Sequence, residues 1–214
     1  MPQTTDVLHL IPYLGARMGG PVVSLAQYTD ALARAGWRVS VASVELAGDG
    51  ERVGVYAQMP VVCCKGFRLA GLRWSPGFWR RVRNCPVHLI HSHGLWTYAS
   101  IVAGRLARVR RVPHILAPCG MLQEGALHRS SWKKRLSLAL YQRRVMEEAA
   151  CLHAKSEDEY EGIRRFGLRN PVAVISNPVS GPEGRRPKEG DSASPFPGDR
   201  KILLFLGRLH PVKG

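Results

Sequence analysis

No apolar run in this 214-residue sequence approaches the roughly 18 residues a helix needs to cross a bilayer, which excludes a membrane-spanning helix. The opening stretch, Met1 to Asp6, has neither the basic start nor the apolar core of a secretory signal, so a cytoplasmic location is expected. Cysteine is sparse and unpatterned: five residues, an odd number, with Cys63 and Cys64 adjacent and no C-x-x-C pair. That excludes a disulfide framework and a zinc-finger signature, and leaves buried or incidental thiols. The chain has no G-x-G-x-x-G and no Gly-Lys-Ser/Thr P-loop, so two common phosphate-binding fingerprints are missing. Acidic residues are few, 16 against 31 Lys and Arg, for a formal charge of +15. Such a balance suits phosphorylated substrates, nucleic acid or an anionic membrane surface, and a solvated basic surface would carry it equally. No aromatic ribonucleoprotein motif, zinc finger or basic heptad array accompanies the charge, so nucleic acid is not the expected partner.

What is present is a core and an alternation. Apolar residues make up 45% of the chain, which excludes global disorder. Short apolar runs read as strands at Asp6–Ile11, Trp37–Val44, Val61–Cys64, Val87–His91, Val112–Ala117, Cys151–Lys155 and Pro171–Ser176. Between them, helical spacing runs from Val22 to Ala35, closed by Gly36, then over Phe78–Arg83, Ala99–Val109 and about 130–150. A further helix follows Ser156, its N-cap, with Glu159 at the capping-box position. Lys65 to Gly77, Ser92 to Tyr98 and Pro118 to His128 read as loops. Strand and helix in turn predict an α/β fold, a doubly wound, Rossmann-like parallel sheet covered on both faces. This domain is expected over residues 5–180. Residues 181–200, rich in Pro, Gly and charge, read as a linker. Residues 201–214, with the apolar run from Ile202 to Leu206, read as the first strand and loop of a second, truncated domain.

Four constellations can carry chemistry. Gly15, Gly19, Gly20 and Pro21 follow the first strand, where side-chain-free backbone and a helix N-terminus can approach an anion; an ordinary tight turn reads the same way. His91-Ser-His93-Gly94 ends a middle strand, with His91 and His93 on one side and Ser92 on the other. A histidine there can donate to a sugar or phosphate, or be a hydrogen-bonded core histidine; zinc lacks a third ligand at recognisable spacing. In Ser131–Arg144, Trp132, Leu136, Ala139 and Leu140 share a stripe, with Lys133, Lys134, Arg143 and Arg144 outside it. That pattern suits either a core stripe with a solvated basic face or a helix lying on anionic lipid. Last, Arg208 and Lys213, between Gly207 and Gly214, suit a diphosphate clamp.

In order, Gly19-Gly20-Pro21, His91-Ser-His-Gly94, Ser156-Glu157, Ile175-Ser-Asn-Pro178 and Gly207-Arg208-Leu-His-Pro-Val-Lys213-Gly214 resemble the retaining, nucleotide-sugar-dependent glycosyltransferases of the GT-B fold, family 4. The resemblance implies two Rossmann-like domains, of which this chain would hold the acceptor-side one and the start of the donor-binding one. It implies that His93 contacts the transferred sugar, that Gly19 and Gly20 lie near the donor diphosphate, and that Arg208 and Lys213 stabilise that diphosphate without a metal or other cofactor. Gly120 falls in Pro118–Leu122, which resembles an acceptor-side loop; Cys119 stands where the family often has histidine or arginine. The implied partners are a nucleotide-sugar donor and a glycan or lipid-linked acceptor, with peripheral contact to the inner face of an anionic membrane. The family's Glu-x7-Glu region does not occur within these residues, so the chain by itself is expected to be inactive. The alternative is a non-catalytic Rossmann module that binds phosphoanions or nucleic acid.

Overall fold

The computed structural model describes residues 5–15, 18–49, 56, 60–128 and 136–178. By contacts the chain divides into two compact units, Met1–Pro178 and Val179–Gly214. The predicted linker, the strand Ile202–Leu206, and Arg208 and Lys213 all lie outside the described residues, as do Trp132, Lys133 and Lys134.

Among the described residues, seven strands form one parallel sheet: β1 (Asp6–Leu10), β2 (Arg38–Glu45), β3 (Val61–Lys65), β6 (Leu89–His93), β7 (His114–Ala117), β8 (Cys151–Ala154) and β9 (Val172–Val174). Their spatial order is β3-β2-β1-β6-β7-β8-β9, the doubly wound arrangement that the alternation predicts. All five residues of β1 are buried, as expected of a strand covered on both faces. The helices are α1 (Gly20–Arg34), α2 (Phe78–Val82), α3 (Tyr98–Arg110), α4 (Glu124–His128), α5 (Arg143–Glu147) and α6 (Glu157–Arg165). No helix among the described residues is long and apolar enough to cross a membrane.

Local chemistry sets the helix ends. Pro21 sits in the first turn of α1, where its missing N–H costs nothing. Thr97 caps α3, its hydroxyl accepting from Ser100 N at 3.1 Å. Ser156 caps α6 by accepting from Glu159 N at 3.2 Å; the Glu159 carboxylate reaches back to Lys155 N at 3.0 Å, one residue before the cap. The acidic first turn and basic last turn of α6 complement its dipole.

Leu8, Leu10 and Ile90 pack with α2 and α3; Leu116, Leu152 and Ala154 pack with Met146 and Ile163; Ile11 and Val41 pack with α1. Four sequence expectations are corrected. Pro118–His128 is not all loop, since its last five residues form α4. Lys65–Gly77 is not all loop: β4 (Phe67–Leu69) and β5 (Leu72–Trp74) form an antiparallel hairpin. Ser92 and His93 are not in a loop but still in β6, because the ladder with β7 continues to His93↔Ala117. The stripe at Leu136, Ala139 and Leu140 is not core. Leu136 and Leu140 are 53% and 71% exposed, while Gln142, Val145 and Met146, on the far side of the helix, are buried; a π-helical turn runs over Leu138–Gln142.

Candidate functional site at the carboxyl edge of the sheet

In a doubly wound sheet, a ligand crevice opens beyond the carboxyl ends of the strands, where the strand order reverses. Here that point lies between β1 and β6. The two are adjacent and parallel, paired through Leu10↔Ser92, with β2 on the far side of β1 and β7 on the far side of β6. Gly19 and Gly20 follow β1, and His93 ends β6. The sheet therefore brings the predicted glycine loop and the predicted histidine to one edge.

Gly19 has φ 72° and ψ −134°, a backbone conformation that a side chain would strain. A Cβ on Gly20 would meet nothing within 4 Å, so the approach to the helix end is open. No side chain caps α1, and its first turn holds no acidic residue. These features leave its positive end available to an anion.

The histidine is not alone. His9 lies directly across from His91 in the ladder and shares its face of the sheet. His9 Nδ1 and His93 Nε2 stand 3.1 Å apart. His91 lies tilted among its neighbours, its ring centroid 4.3 Å from His93, 5.1 Å from His9 and 5.3 Å from His153. His91 Nε2 and His153 Nδ1 are 3.3 Å apart, and His153 Nε2 lies 2.9 Å from Ile175 O. Burial lowers the pKa of His9 to about 3. Burial, then neighbouring imidazoles, hold His91 well below the ordinary value of 6.5; for His93, burial acts first, then His9 and Lys155. The cluster is neutral at physiological pH.

One ring nitrogen from each of His9, His91 and His93 lies within 4.8 Å of the other two, so the fold supplies the third imidazole that sequence spacing does not show. A cation held by His9 Nδ1 and His93 Nε2 would have to displace the proton shared between them. The His9 proton would then move to Nε2, which is buried and has no partner. Through those two nitrogens the donor set is a poor fit for a metal.

Beyond β7, Cys119 and Gly120 both take positive φ, 55° and 75°. That is strain for Cys119, and strained non-glycine residues cluster at ligand sites. Burial raises the Cys119 thiol pKa, with Lys155 opposing and Glu159 adding to the shift. A Cβ on Gly120 would sit 3.7 Å from Glu159 Oε1. Lys155, the residue after β8, thus bears on both His93 and Cys119. Sequence reading did not single out Lys155 or His9, and it took Glu159 only as a helix-capping residue. Lys155 and Glu159 could have been found by applying the strand-end rule to Cys151–Lys155. Tyr28 of α1 closes this side: its hydroxyl donates to Ser176 O at 2.8 Å, and its ring stands edge-on to His153 at 5.6 Å. On the other side, a cavity of about 120 Å³ is lined by Pro12, Arg73, Trp96 and Tyr98. Arg73 is held there by two bonds to Asp49, 2.5 and 2.6 Å, and lies 3.8 Å over the Tyr13 ring.

A family model described as a glycosyl transferase 4-like domain matches residues 19–178. Among solved structures, Anabaena HepE in complex with UDP and glucose is similar at a TM-score of 0.55 and 18% identity, over 82% of this chain and 45% of that one. Sucrose-phosphate synthase from Thermosynechococcus elongatus is similar at 0.56 and 16%, over 80% and 48%. S. aureus MnaA, in its structure with UDP, is similar at 0.56 and 11%, over 81% and 45%. The chain spans less than half the length of these structures, and at such identities the likeness is one of fold. No curated protein sequence matches the chain.

Proposed function

We propose, from the premise that the chain belongs to the glycosyl transferase 4-like domain family, that it serves a retaining glycosyltransferase that moves a hexosyl group from a nucleotide-sugar donor to a glycan or lipid-linked acceptor. The observation that carries the reading is the meeting of the Gly19–Gly20 helix start and His93 at the switch point between β1 and β6. In this reading the α1 N-terminus faces the donor diphosphate, and the His93 imidazole bonds the transferred sugar. A neutral His93 suits that role, because it offers a directed hydrogen bond without a charge to desolvate. The cavity at Trp96 and Tyr98 is the acceptor side, where aromatic rings can pack against a sugar face. Arg208 and Lys213 are proposed as the diphosphate clamp, in a donor-binding half; metal is not required if that clamp carries the leaving charge. UDP in two of the similar structures supports a uridine nucleotide as the first donor to try. Contact with anionic lipid, where a lipid-linked acceptor would lie, belongs to the same proposal.

The test uses the protein at the full length its gene encodes, with UDP-glucose and other nucleotide sugars, following release of the nucleoside diphosphate. His93→Ala should lower kcat/KM by at least a hundredfold in protein that still unfolds cooperatively, with its thermal transition lowered because the ring is buried and bonded to His9. Equal turnover by the variant would sink the assignment of His93.

A further inference from the structure

The hydrogen bonds of the imidazole cluster fix where its protons are. A carbonyl oxygen only accepts, so the 2.9 Å contact makes His153 Nε2 a donor to Ile175 O. A neutral imidazole carries one ring hydrogen, so His153 Nδ1 is bare and accepts from His91 Nε2–H across 3.3 Å. In the other pair, His9 Nδ1 faces His93 Nε2, and His9 Nε2 is buried without a partner. A buried N–H with no acceptor is rarer than a buried lone pair with no donor. The His9 hydrogen therefore belongs on Nδ1, where it is bonded to His93. His93 accepts that bond at Nε2, so its own hydrogen must be on Nδ1.

Packing holds the arrangement. His9 is fully buried and His93 nearly so, and the His91 ring lies against both. Among the described residues the His93 ring makes no hydrogen bond except the one to His9. Its Nδ1–H is the group left for a ligand at the strand end.

From this we infer that His9 is a positioning residue for His93: it locks His93 in the Nδ1–H tautomer, so that His93 meets a substrate oxygen as a hydrogen-bond donor and not as a base. The inference about substrate rests on the function proposed above; the inference about the tautomer does not. A free imidazole in water favours the Nε2–H form modestly and exchanges between the two. Without His9, the Nδ1 of His93 would be bare for part of the time and could only accept from a substrate hydroxyl, so the donor bond to the substrate oxygen would be lost for that fraction.

Long-range proton–nitrogen correlation spectra of the ¹⁵N-labelled 214-residue chain at neutral pH read each tautomer directly. The expected result is a protonated, pyrrole-type Nδ1 and a bare, pyridine-type Nε2 on His93. In His9→Phe, which keeps a flat ring and removes the donor, the two His93 nitrogens should move towards the averaged shifts of an exchanging imidazole. His9→Asn places an amide donor near the position of Nδ1 and should restore the wild-type pattern, and it serves as the test if the phenylalanine variant does not fold. An Nε2–H His93 in the wild-type chain, or an unchanged tautomer in His9→Phe, would overturn the inference. So would stoichiometric binding of Zn²⁺ through the His9 and His93 nitrogens at micromolar concentration. In the transfer assay, His9→Phe should lose at least tenfold in kcat with KM little changed, and His9→Asn should recover most of it; equal rates in all three would remove the catalytic role while leaving the tautomer result standing. Absence of transfer in the wild-type protein would defeat the function proposed above and not the tautomer.

Discussion

Ser92 Oγ and His114 Nε2 lie 2.8 Å apart, both buried, on the opposite side of β6 from His91 and His93. The His-Ser-His run thus sends its serine to a neighbour on β7 and its histidines to β1 and β8. His9, His93, His114 and His153 are buried and His91 is half-buried among them, and all five have lowered pKa values.

That burial should make the fold sensitive to acid. Burial puts the pKa of His114 at about 4 and that of His9 at about 3, and His91, His93 and His153 are also lowered. The unfolded chain has these groups near 6.5, so below that pH it binds protons that the folded chain refuses. Stability is then constant above about pH 7, starts to fall near 6.5, and keeps falling towards 4 and 3. Each histidine contributes a slope of up to about 1.4 kcal/mol per pH unit in that window. Urea melts from pH 8 to 4.5 should show a steep loss only below 6.5. His114→Gln, which keeps a polar partner for Ser92, should make the loss shallower. A flat profile down to pH 5 would contradict the burial.

Close approach of two helices gives a second expectation. A Cβ on Gly104 of α3 would stand 2.8 Å from Val145 Cγ2 and 3.1 Å from Cγ1. Gly104→Ala gains helix propensity but forces α5 away, and overpacking of this kind costs about 1–3 kcal/mol. Val145→Ala alone opens a cavity and also destabilises. The double variant should be more stable than the sum of the two losses by more than about 1 kcal/mol, because each change makes room for the other. Additive losses in chemical melts would mean that the helices have slack.

The N-cap of α6 stands beside the site and should matter by a conventional amount. Ser156→Ala removes the acceptor for Glu159 N and should cost about 1 kcal/mol. Ser156→Asp keeps an acceptor and adds a charge favoured at a helix start, so it should stay within a few tenths of wild type. A larger loss for Asp than for Ala would show that the acidic first turn, Glu157 to Glu159, already saturates that helix end.

The fold was legible where the signal is local. Apolar or alternating residues in Asp6–Leu10 and Arg38–Glu45 announce strands, and Gly36 and Ser156 mark helix ends. The same rule led to His93 at a strand's carboxyl end. The hairpin at Phe67–Trp74 was not legible, because Arg68, Arg73 and Gly71 break the apolar pattern of two very short strands. His9 was read as an ordinary strand residue because its partner is 84 positions away; only the parallel register of β1 and β6 brings the rings together. The helical wheel grouped Leu136 and Leu140 on one face, as they are, but could not tell that the opposite face, with Gln142, Val145 and Met146, is the one that packs on the domain.

The exposed leucine face bears on the last expectation, attachment to anionic membranes. Leu136 and Leu140 project from the protein beside Arg143 and Arg144, the composition of a helix that rests on lipid. The arginines are less available than a sequence count implies. Arg143 pairs with Glu147 at 2.8 Å, Arg144 with Glu148 at 2.6 Å, and Arg108 also reaches Glu148 at 3.0 Å. Exposed pairs of this kind hold little energy and exchange readily for lipid phosphate, but each retained pair subtracts a charge from the attraction. Binding should therefore depend on the leucines as much as on charge. Inserting one leucine is worth about 1.5–3 kcal/mol, roughly ten- to a hundredfold in partitioning. Each unpaired basic residue near the surface adds about 1 kcal/mol, screened over about 10 Å at 0.1 M salt. Sedimentation with vesicles of mixed anionic and zwitterionic lipid should show binding that rises with anionic content and falls with salt. Leu140→Asp should weaken it at least tenfold, and Glu148→Gln should strengthen it by freeing Arg144 and Arg108. Binding indifferent to Leu140→Asp, or equal on purely zwitterionic vesicles, would mean that this surface does not meet the membrane.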